Sequence, residues 1–287
     1  MKFKPLIASL IAAGMFSLYS CSEQPSNTIN IGSFNTHIFG KSKVKKQDVM
    51  SVFADMLAQY DIVAIQEIRD KSMTSLPRLI EQINDSSDKN FDYVVSPRLG
   101  RTSSKEQYAF IYNTRTIEYT EDSFVWPDSR DIFEREPFIA QFRARFGKLD
   151  FILVNVHTKP DDATAEILAL EQVVKYADNH IKDDDDVIVL GDFNADGTYF
   201  SEQNNQTGIR GSDYIWVIGD DQDTNLAASV YAYDRIVFQD ALTSEDYTGE
   251  FEIFRFDSEY SLDKDQAKRV SDHYPISTRF YINRDSD

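Results

Sequence analysis

Residues 61–70 read DIVAIQEIRD, a short apolar run that ends abruptly in Glu67 and Arg69. A run rich in Val and Ile, without polar interruption, is typical of a strand that is covered on both faces. Six further stretches combine a run rich in Val, Ile and Phe with polar residues at or near its tip. They are INIGSFN, EQYAFIY, FILVNVH, DVIVLGDFN, YDRIVF and RVSDHYPI. We therefore predict a set of buried strands with polar tips.

Three other stretches show the periodicity of amphipathic helices, with apolar residues three and four positions apart. They are residues 46–60, 75–84 and 163–178. The predicted strands are separated in some places by these helices and in others by further strands. This order predicts an α/β (α+β) fold in which two stacked sheets are flanked by helices.

The polar strand tips predict a functional cleft. A core strand does not need Asn, Glu, His or Asp at its end, and burying such groups without partners is costly. Several tips that meet at one end of the sheets would form a polar cleft. Carboxylates suit Mg²⁺, amides orient oxygen atoms, and imidazoles transfer protons. The residue types therefore favour a site for a divalent metal and a phosphate group.

Length, composition and charge limit the classes of function. The chain has 287 residues, of which 41% are hydrophobic and 13% aromatic, which is enough for one large domain with a substantial core. Its formal net charge is -18, so it gains nothing from long-range attraction to nucleic acid. If the protein binds a phosphate polymer, a local cationic surface or a bound metal must make the contact.

The N-terminal region has the pattern of a secretion signal. Lys2 and Lys4 precede a short apolar run that ends in Leu-Tyr-Ser-Cys, and this ending resembles a bacterial lipobox. The resemblance implies that Cys21 is lipidated and that Ser22 directs sorting to the outer membrane. Cys21 is the only cysteine, so no internal disulfide is possible. The alternative is an ordinary signal peptide with an incidental cysteine.

The predicted organisation follows from this reading. Residues 1–20 form the signal peptide, residues 21–27 the lipidated cysteine and a polar tether, and residues 28–287 a single domain. We predict an exported protein, either an outer-membrane or cell-surface lipoprotein or a secreted protein. Its only predicted contact with a membrane is the lipid anchor at Cys21.

Eight motifs in a fixed order resemble those of a known superfamily. They are SFN, DIVAIQEIRD, RTSSKEQYAFIY, EREP, VNVHTKPDDATAEI, GDFNADGTYF, YDRIVF and SDHYPI. The set resembles the endonuclease/exonuclease/phosphatase superfamily, from about Ile29 to Ile282, and YDRIV with SDHYP points to its deoxyribonuclease I branch. The resemblance implies a four-layered sandwich of two packed, mainly antiparallel β-sheets. It also implies metal-dependent hydrolysis of phosphodiesters.

The resemblance implies a site for a metal and a phosphate group. Glu67 resembles the main Mg²⁺ ligand, Asn35 is its neighbour at the metal and the phosphate, and Asp272 lies beside both. Asp192 and Asn194 resemble the pair that positions the phosphate and the attacking water. Mg²⁺ or Mn²⁺ is the implied cofactor.

Two histidines resemble the catalytic pair of this family. His157 resembles the histidine that a glutamate orients, here Glu106, and His273 resembles the one that an aspartate orients, here Asp234. A buried carboxylate fixes the tautomer of an imidazole and raises its basicity. The two rings would serve the attacking water and the leaving 3′ oxygen, and the sequence does not decide which ring serves which. The implied products carry 5′-phosphate and 3′-hydroxyl ends.

The resemblance also implies that the protein binds double-stranded DNA as a monomer. Arg69 resembles an arginine that is inserted in the minor groove, and Arg135 in EREP and Tyr199 in GTYF match further contact positions. Arg101, the first residue of RTSSKEQYAFIY, belongs to the same predicted surface. Phosphate and shape contacts of this kind give little sequence specificity. A few arginines on one face would be enough despite the acidic net charge.

The chain departs from the deoxyribonuclease I pattern in three ways. Ser104 stands where that family has a groove-stacking tyrosine, and the disulfides of the secreted animal enzymes are absent. One calcium loop of that family aligns with residues 219–229, where Asp223 is kept but Ala227 replaces an oxygen donor. A structural Ca²⁺ ion is therefore an open alternative. The stabilisation that disulfides provide must come from elsewhere or from calcium.

Simpler interpretations apply to several residues. A lone histidine in an apolar strand is more often a satisfied core residue than a catalyst. We assign His37 and His180 to the surface or to loops. Asp196 matches an oriented carboxylate, but it fits a turn before Gly197 equally well. The acidic run at residues 183–186 is most simply a solvated turn.

The leading hypothesis is a surface-anchored or secreted metal-dependent deoxyribonuclease. The first alternative is a phosphodiesterase of the same fold that acts on lipid or small phosphodiesters, as a sphingomyelinase does. Arg69, the EREP motif and Tyr199 argue against it. The second alternative is a non-catalytic DNA-binding subunit. The chain keeps every residue type of the implied catalytic set, which argues against that alternative.

Overall fold

The computed structural model describes residues 26–181, 186–201 and 206–285. The strands of these segments are β1 (Thr28–Phe39), β2 (Ile62–Ile68), β3 (Phe91–Val95), β4 (Gln107–Asn113), β5 (Ile117–Val125), β6 (Phe138–Ala144), β7 (Asp150–His157), β8 (Val187–Asp192), β9 (Tyr214–Trp216), β10 (Asp234–Gln239), β11 (Tyr247–Ile253) and β12 (Ile276–Tyr281). The helices are α1 (Lys41–Val44), α2 (Gln47–Leu57), α3 (Ser75–Ser86), α4 (Ala163–His180), α5 (Asp240–Thr243), α6 (Phe256–Glu259) and α7 (Lys264–Val270). The predicted signal peptide and Cys21 lie outside the described residues.

The strands form two six-stranded sheets. The first sheet has the order β11-β12-β1-β2-β4-β3 and the second has the order β5-β6-β7-β8-β10-β9. Only the central pairs β1–β2 and β7–β8 are parallel among the described strands, and all other neighbours are antiparallel. The predicted architecture of two packed, mainly antiparallel sheets is confirmed.

Alternating side-chain directions explain the uninterrupted apolar sequences of the central strands. In β2, Ile62 and Ala64 belong to the core between the two sheets, whereas Val63 and Ile65 belong to the core under the helices. Successive residues of a strand point to opposite faces of the sheet. A strand with cover on both faces therefore needs an apolar residue at nearly every position.

Helices cover the outer faces of both sheets. The apolar sides of α2 and α3 pack on the first sheet, and the apolar side of α4 packs on the second. These are the three predicted helices, with small shifts at their ends. The resulting order of helix, sheet, sheet and helix gives the four layers. No helix of the described segments is long and apolar enough to cross a membrane.

The prediction for the acidic run at residues 183–186 is wrong at its last position. Asp186 is buried, and its carbonyl oxygen accepts a hydrogen bond of 2.9 Å from the backbone N–H of Ile152 in β7. Asp186 directly precedes β8, so its backbone already pairs with the neighbouring strand. Its carboxylate lies near those of Asp246 and Asp285, which are also buried. Residues 183–185 lie outside the described residues.

The pairing register brings the polar strand tips together. In the first sheet, Asn35 of β1 is opposite Gln66 of β2. In the second sheet, Asp192 of β8 is opposite both His157 of β7 and Asp234 of β10. Because the parallel strands of each central pair end at the same edge, their terminal side chains share one end of the sandwich.

A substitution at Gly191 tests how closely the ends of β7 and β8 pack. It has a φ of +149°, and a Cβ there would lie 1.9 Å from the carbonyl oxygen of Val156. We expect Gly191→Ala to lower the free energy of unfolding by about 2–3 kcal/mol, because the neighbouring backbone must move. Urea unfolding measures this change.

Gly40→Ala is the matched control for that substitution. The nearest atom to a Cβ at Gly40 lies 3.8 Å away, which is ordinary contact. We expect its free energy of unfolding to change by less than about 0.5 kcal/mol. Equal changes in the two variants would contradict the packing argument.

Candidate active site

His157 ends β7 and is held by a buried glutamate. Its Nδ1 lies 2.6 Å from Oε1 of Glu106, and the Glu106 side chain is fully buried just before β4. The backbone N–H of His157 donates to the hydroxyl of Tyr108 at 2.9 Å. A carboxylate on one ring nitrogen selects the tautomer and leaves Nε2 facing away from it. The ring is therefore fixed in position and in orientation.

His273 has the same arrangement with an aspartate. Its Nδ1 lies 2.8 Å from Oδ2 of Asp234, the first residue of β10. The hydroxyl of Thr224 donates to the same carboxylate oxygen at 2.8 Å. The Asp234 side chain is fully buried, so both contacts are shielded from water. The strand predicted at RVSDHYPI is corrected, because His273 lies between the end of α7 and the start of β12. A histidine on a strand and a histidine in a connecting segment are thus oriented in the same way.

Asp192 lies between the two imidazoles. Its Oδ2 is 3.4 Å from Nε2 of His157 and 3.6 Å from Nε2 of His273. The same oxygen accepts a hydrogen bond of 2.9 Å from Nδ2 of Asn35, and Oδ1 accepts one of 3.0 Å from the backbone N–H of Asn194. Nε2 of each ring, the nitrogen that does not contact the orienting carboxylate, therefore points towards Asp192.

Glu67, the next-to-last residue of β2, contacts Asn35 as Asp192 does. Its Oε1 accepts a hydrogen bond of 3.3 Å from Nδ2 of Asn35, and its Oε2 accepts one of 2.9 Å from the backbone N–H of Ile38. Glu67 has a φ of 61°, and Asn194 and His37 have φ values of 47° and 45°. Residues other than glycine adopt a positive φ only at an energetic cost, and such backbone strain is concentrated at functional sites.

Asp272 contacts a third histidine. Its Oδ1 lies 2.6 Å from Nδ1 of His37, and both side chains are half exposed. The hydroxyl of Ser271 donates to the carbonyl oxygen of Asn35 at 2.7 Å, which joins the two chain segments. His37 lies at the surface, as predicted, but on β1 rather than in a loop.

The carboxylates raise the pKa of both buried histidines. Burial lowers the pKa of His157, but the charges of Glu106 and Asp192 and the hydrogen bond to Glu106 together raise it above its ordinary value. Burial also lowers the pKa of His273, but Asp234 and Asp192 raise it well above its ordinary value. Burial raises the pKa of Glu106, yet its histidine lowers it below the ordinary range.

Arg135 is mostly buried beside His157. It is 7% exposed, and its Nε and NH2 donate to the carbonyl oxygen of His157 at 3.1 and 2.9 Å. Its Nε also lies 3.2 Å from Oε1 of Glu106. The guanidinium thus holds His157 and Glu106, and Arg135 also lines the cleft beside His157, so its contact with DNA stays a prediction.

Arg69 lies at the mouth of the site. Its NH2 is 3.2 Å from Oε2 of Glu67 and 3.5 Å from Oε2 of Glu106. Its NH1 donates to the hydroxyl of Ser104 at 3.1 Å. Ser104, which stands where the family has a tyrosine, thus helps to orient Arg69.

The other two predicted DNA contacts lie at the surface. Arg101 donates to the carbonyl oxygen of Asp131 at 3.0 Å and keeps 34% of its side chain exposed. Tyr199 is 37% exposed, and its ring centroid lies 6.0 Å from that of Tyr233. The ring of Tyr233 in turn lies 6.3 Å from that of His273. Tyr199 is therefore connected to the site through one aromatic neighbour.

A cleft of about 340 Å³ opens beside His157. Arg69 and Lys159 supply cations to its wall, and Glu67 and Glu134 supply carboxylates. Glu166 on α4 fixes this wall from below, since its carboxylate accepts the backbone N–H groups of Glu134 at 2.9 Å and Lys159 at 3.1 Å. The sequence interpretation missed this role of Glu166, although the residue lies within the motif VNVHTKPDDATAEI.

Lys43 is a second residue that the sequence interpretation missed. It is buried in α1, and its Nζ donates to the carbonyl oxygens of Thr36, His37 and Val270 at 2.7, 2.6 and 2.8 Å. These bonds join the tip of β1 to the end of α7, close to Asp272. Burial lowers the pKa of Lys43 to about 8. A lysine in a short helix gives no sequence signal for such a role.

The donor atoms of the site fit a hard divalent cation. Asp192, Asp234 and His273 offer ligand atoms that lie within 4.8 Å of one another. Oδ1 of Asp234 is buried and has no hydrogen-bond partner within the described chain. The predicted ligands Glu67 and Asn35 lie on the neighbouring strands β2 and β1. Carboxylate and amide oxygens are the ligands that Mg²⁺ prefers.

Comparison with known proteins identifies the class to which this fold and site belong. The model of the Endonuclease/Exonuclease/phosphatase family matches residues 28–273, so the chain belongs to that family. Within the family it is a deoxyribonuclease I homologue. It is 36% identical to deoxyribonuclease-1-like 2 of Mus musculus, over 93% of this chain and 97% of that one. It is 35% identical to deoxyribonuclease-1 of Gallus gallus, over 94% of this chain and 96% of that one.

Solved structures agree with this fold at much lower sequence identity. A humanized TDP2 of D. rerio has a TM-score of 0.61 and 17% identity, and the match covers 89% of this chain and 99% of that one. A family member from Leptotrichia buccalis has a TM-score of 0.62 and 17% identity, over 88% and 99%. These similarities support the fold alone.

Asp234→Asn tests the electrostatic coupling of the second histidine. We expect the substitution to lower the pKa of His273, because it removes a carboxylate charge that raises this pKa. An NMR titration of the imidazole in EDTA measures the change. An unchanged pKa of His273 in this variant would contradict the coupling.

The same pair predicts how stability depends on pH. The pKa of His273 is higher in the folded protein than its ordinary value of 6.5. Protonated His273 therefore stabilises the folded protein fully at pH values below 6.5. This contribution to the free energy of unfolding is lost as the pH rises through the pKa that His273 has in the folded protein. In urea unfolding with EDTA, the advantage of the wild type over Asp234→Asn should be larger at low pH than at high pH.

Proposed function

We propose that the protein is a metal-dependent endonuclease that hydrolyses DNA with little sequence specificity and leaves 5′-phosphate and 3′-hydroxyl ends. The observation that carries the proposal is the convergence of two carboxylate-oriented imidazoles on Asp192. Similarity to deoxyribonucleases over most of the chain supports DNA as the substrate. Mg²⁺ or Mn²⁺ is the proposed cofactor, because the oxygen-rich donor set suits a hard cation.

The geometry provides for both proton transfers of the reaction. Hydrolysis needs a base for the attacking water and an acid for the leaving oxygen. Because Nδ1 of each ring faces its carboxylate, Nε2 of His157 and of His273 faces the substrate. One Nε2 accepts the proton of the water, and the other donates a proton to the leaving 3′ oxygen. A metal held by Glu67, Asn35 and Asp272 would supply charge stabilisation of the phosphate.

DNA binding in this proposal depends on local charge. The net charge of -18 opposes approach to a polyanion from a distance. Arg69 and Lys159 line the cleft beside His157 and offer cations to one strand backbone. Arg101 and Tyr199 are exposed and extend the proposed surface. Contacts to phosphate and sugar carry no direct sequence information, which agrees with low specificity.

Plasmid nicking by the purified protein tests the proposal. We expect supercoiled plasmid to be relaxed in Mg²⁺ or Mn²⁺ and to stay intact in EDTA. His273→Ala should lower the rate at least about 100-fold, because it removes one proton-transfer group. DNA ligase should reseal the nicks, since ligation requires a 5′-phosphate beside a 3′-hydroxyl.

His180→Ala is the matched control, because His180 is exposed at the end of α4 and stacks on Tyr176. It should keep the wild-type rate. Wild-type protein that leaves plasmid intact but hydrolyses sphingomyelin would move the proposal to a lipid phosphodiesterase. DNA binding without turnover in Mg²⁺, Mn²⁺ and added Ca²⁺ would support a non-catalytic subunit.

We also propose that the protein is exported and anchored through a lipid on Cys21. The support is the sequence pattern of residues 1–21, which lie outside the described residues. Mass spectrometry of the mature N-terminus should show a diacylglyceryl group on Cys21. Cys21→Ala should move the protein from the membrane fraction to the soluble fraction. An unmodified Cys21 at the mature terminus, or a processed terminus elsewhere, would refute the anchor.

A further inference from the structure

The loop at residues 219–231, between β9 and β10, supports the second histidine pair. The hydroxyl of Thr224 donates to Oδ2 of Asp234 at 2.8 Å and accepts the backbone N–H of the same residue at 3.1 Å. The carbonyl oxygen of Thr224 accepts the backbone N–H of Tyr274 at 2.8 Å. Asn225 forms an isolated antiparallel bridge with His273. The 219–231 loop therefore sets the position of both Asp234 and His273.

Asp223 anchors this loop, and both of its carboxylate oxygens are used within the protein. Oδ1 accepts a hydrogen bond of 3.1 Å from Nδ2 of Asn225, and Oδ2 accepts one of 3.2 Å from NH1 of Arg255. The amide oxygen of Asn225 accepts the backbone N–H of Ala227 at 2.6 Å. The polar side chains on this side of the loop are thus directed at one another and at Arg255.

The other carboxylates of the loop are engaged as well. Asp220 lies 3.1 Å from both Arg210 and Arg235. Asp221 accepts a hydrogen bond of 3.0 Å from the side chain of Gln222. Within the described residues, neither Asp220 nor Asp221 belongs with Asp223 to a group of side chains close enough to bind one metal ion.

The 219–231 loop therefore does not fit the Ca²⁺ ion that the family resemblance implies. Ca²⁺ takes about six to eight oxygen ligands that converge on one point. Here Asp223 is bound by an arginine and an amide, and Ala227 offers no side-chain oxygen. A guanidinium next to the carboxylate also opposes a second cation at the same place.

We propose that Arg255 takes the place of that ion. Its guanidinium pairs with Asp223 and holds the 219–231 loop against the Asp234–His273 pair without bound calcium. The guanidinium lies over the ring of Tyr274, 4.3 Å from its centroid. Tyr274 directly follows His273 in the chain. Arg255 is therefore in contact both with the 219–231 loop and with the segment that carries His273.

Geometry makes this contact effective even though the ion pair is partly exposed. The Arg255 side chain is 43% exposed and that of Asp223 is 21% exposed, and an exposed ion pair alone contributes little to stability. A planar guanidinium that is stacked on a ring and paired at its edge has few other arrangements. Arg255 is thus a positioning residue, which acts on the reaction through Asp234 and His273.

Calcium dependence of the wild-type protein is the first test. Limited proteolysis and thermal unfolding should give the same result in EGTA and in added Ca²⁺. The nicking rate in Mg²⁺ should also be the same in both, and this readout rests on the proposed nuclease function. A wild-type protein that needs Ca²⁺ for a protected loop or for nicking would overturn the inference.

Substitution of the arginine is the second test. Arg255→Ala should lower kcat about tenfold with little change in KM, because a small displacement of an orienting group slows the chemical step. It should also increase proteolytic cleavage within residues 219–231. Arg255→Lys should recover part of both properties, because an ammonium group still pairs with Asp223.

Arg279→Ala is the matched control, since Arg279 is an exposed arginine of β12 that lies 4.0 Å from Glu250. It should behave as the wild type in both assays. If Arg255→Ala also matches the wild type in both, the inference is wrong. If the wild type nicks no plasmid in any metal, the proposed function fails, and the proteolysis comparison still decides whether Arg255 holds the loop.

Discussion

The active site depends on the burial of two carboxylates, Glu106 and Asp234, whose side chains are fully excluded from water. An ionised carboxylate in such a place is strongly destabilising unless it is paired and hydrogen-bonded. Each carboxylate pairs with one imidazole and one further donor, Arg135 for Glu106 and Thr224 for Asp234. The contact with the imidazole therefore stabilises the buried charge and also orients the proposed catalytic histidine. It also explains the raised pKa of both histidines. Fixed rings with raised basicity suit proton transfer at a phosphodiester.

A set of polar residues under the surface fixes the backbone around these pairs. Arg135 holds the carbonyl oxygen of His157, and Glu166 holds two backbone N–H groups beside the cleft. Lys43 joins the tip of β1 to the end of α7, and Thr224 joins the 219–231 loop to the Asp234 carboxylate. These contacts fix the positions of the proposed catalytic groups, and small errors in such positions are costly for rate.

The negative net charge of the protein limits how it can bind DNA. An acidic protein repels a polyanion at long range, so attraction must come from a few cations close to the cleft and from a bound metal. Arg69 lies next to the carboxylates of both Glu67 and Glu106, which partly neutralise it. Salt should therefore affect this protein less than a basic DNA-binding protein, because few phosphates are neutralised.

The sequence by itself determined the helices α2, α3 and α4, the central buried strands and the residue types at their tips. These features have strong local patterns, because both faces of the strands and one face of each helix are covered. It did not reveal β3, β5, β9 and β11, which are the edge strands of the two sheets, or β6 beside one edge. Edge strands have less cover and mix polar with apolar residues. Only the tertiary structure decided that Arg135 binds the carbonyl oxygen of His157, that His37 contacts Asp272, and that Arg255 pairs with Asp223. Those contacts join residues that are far apart in the chain, so no local pattern encodes them.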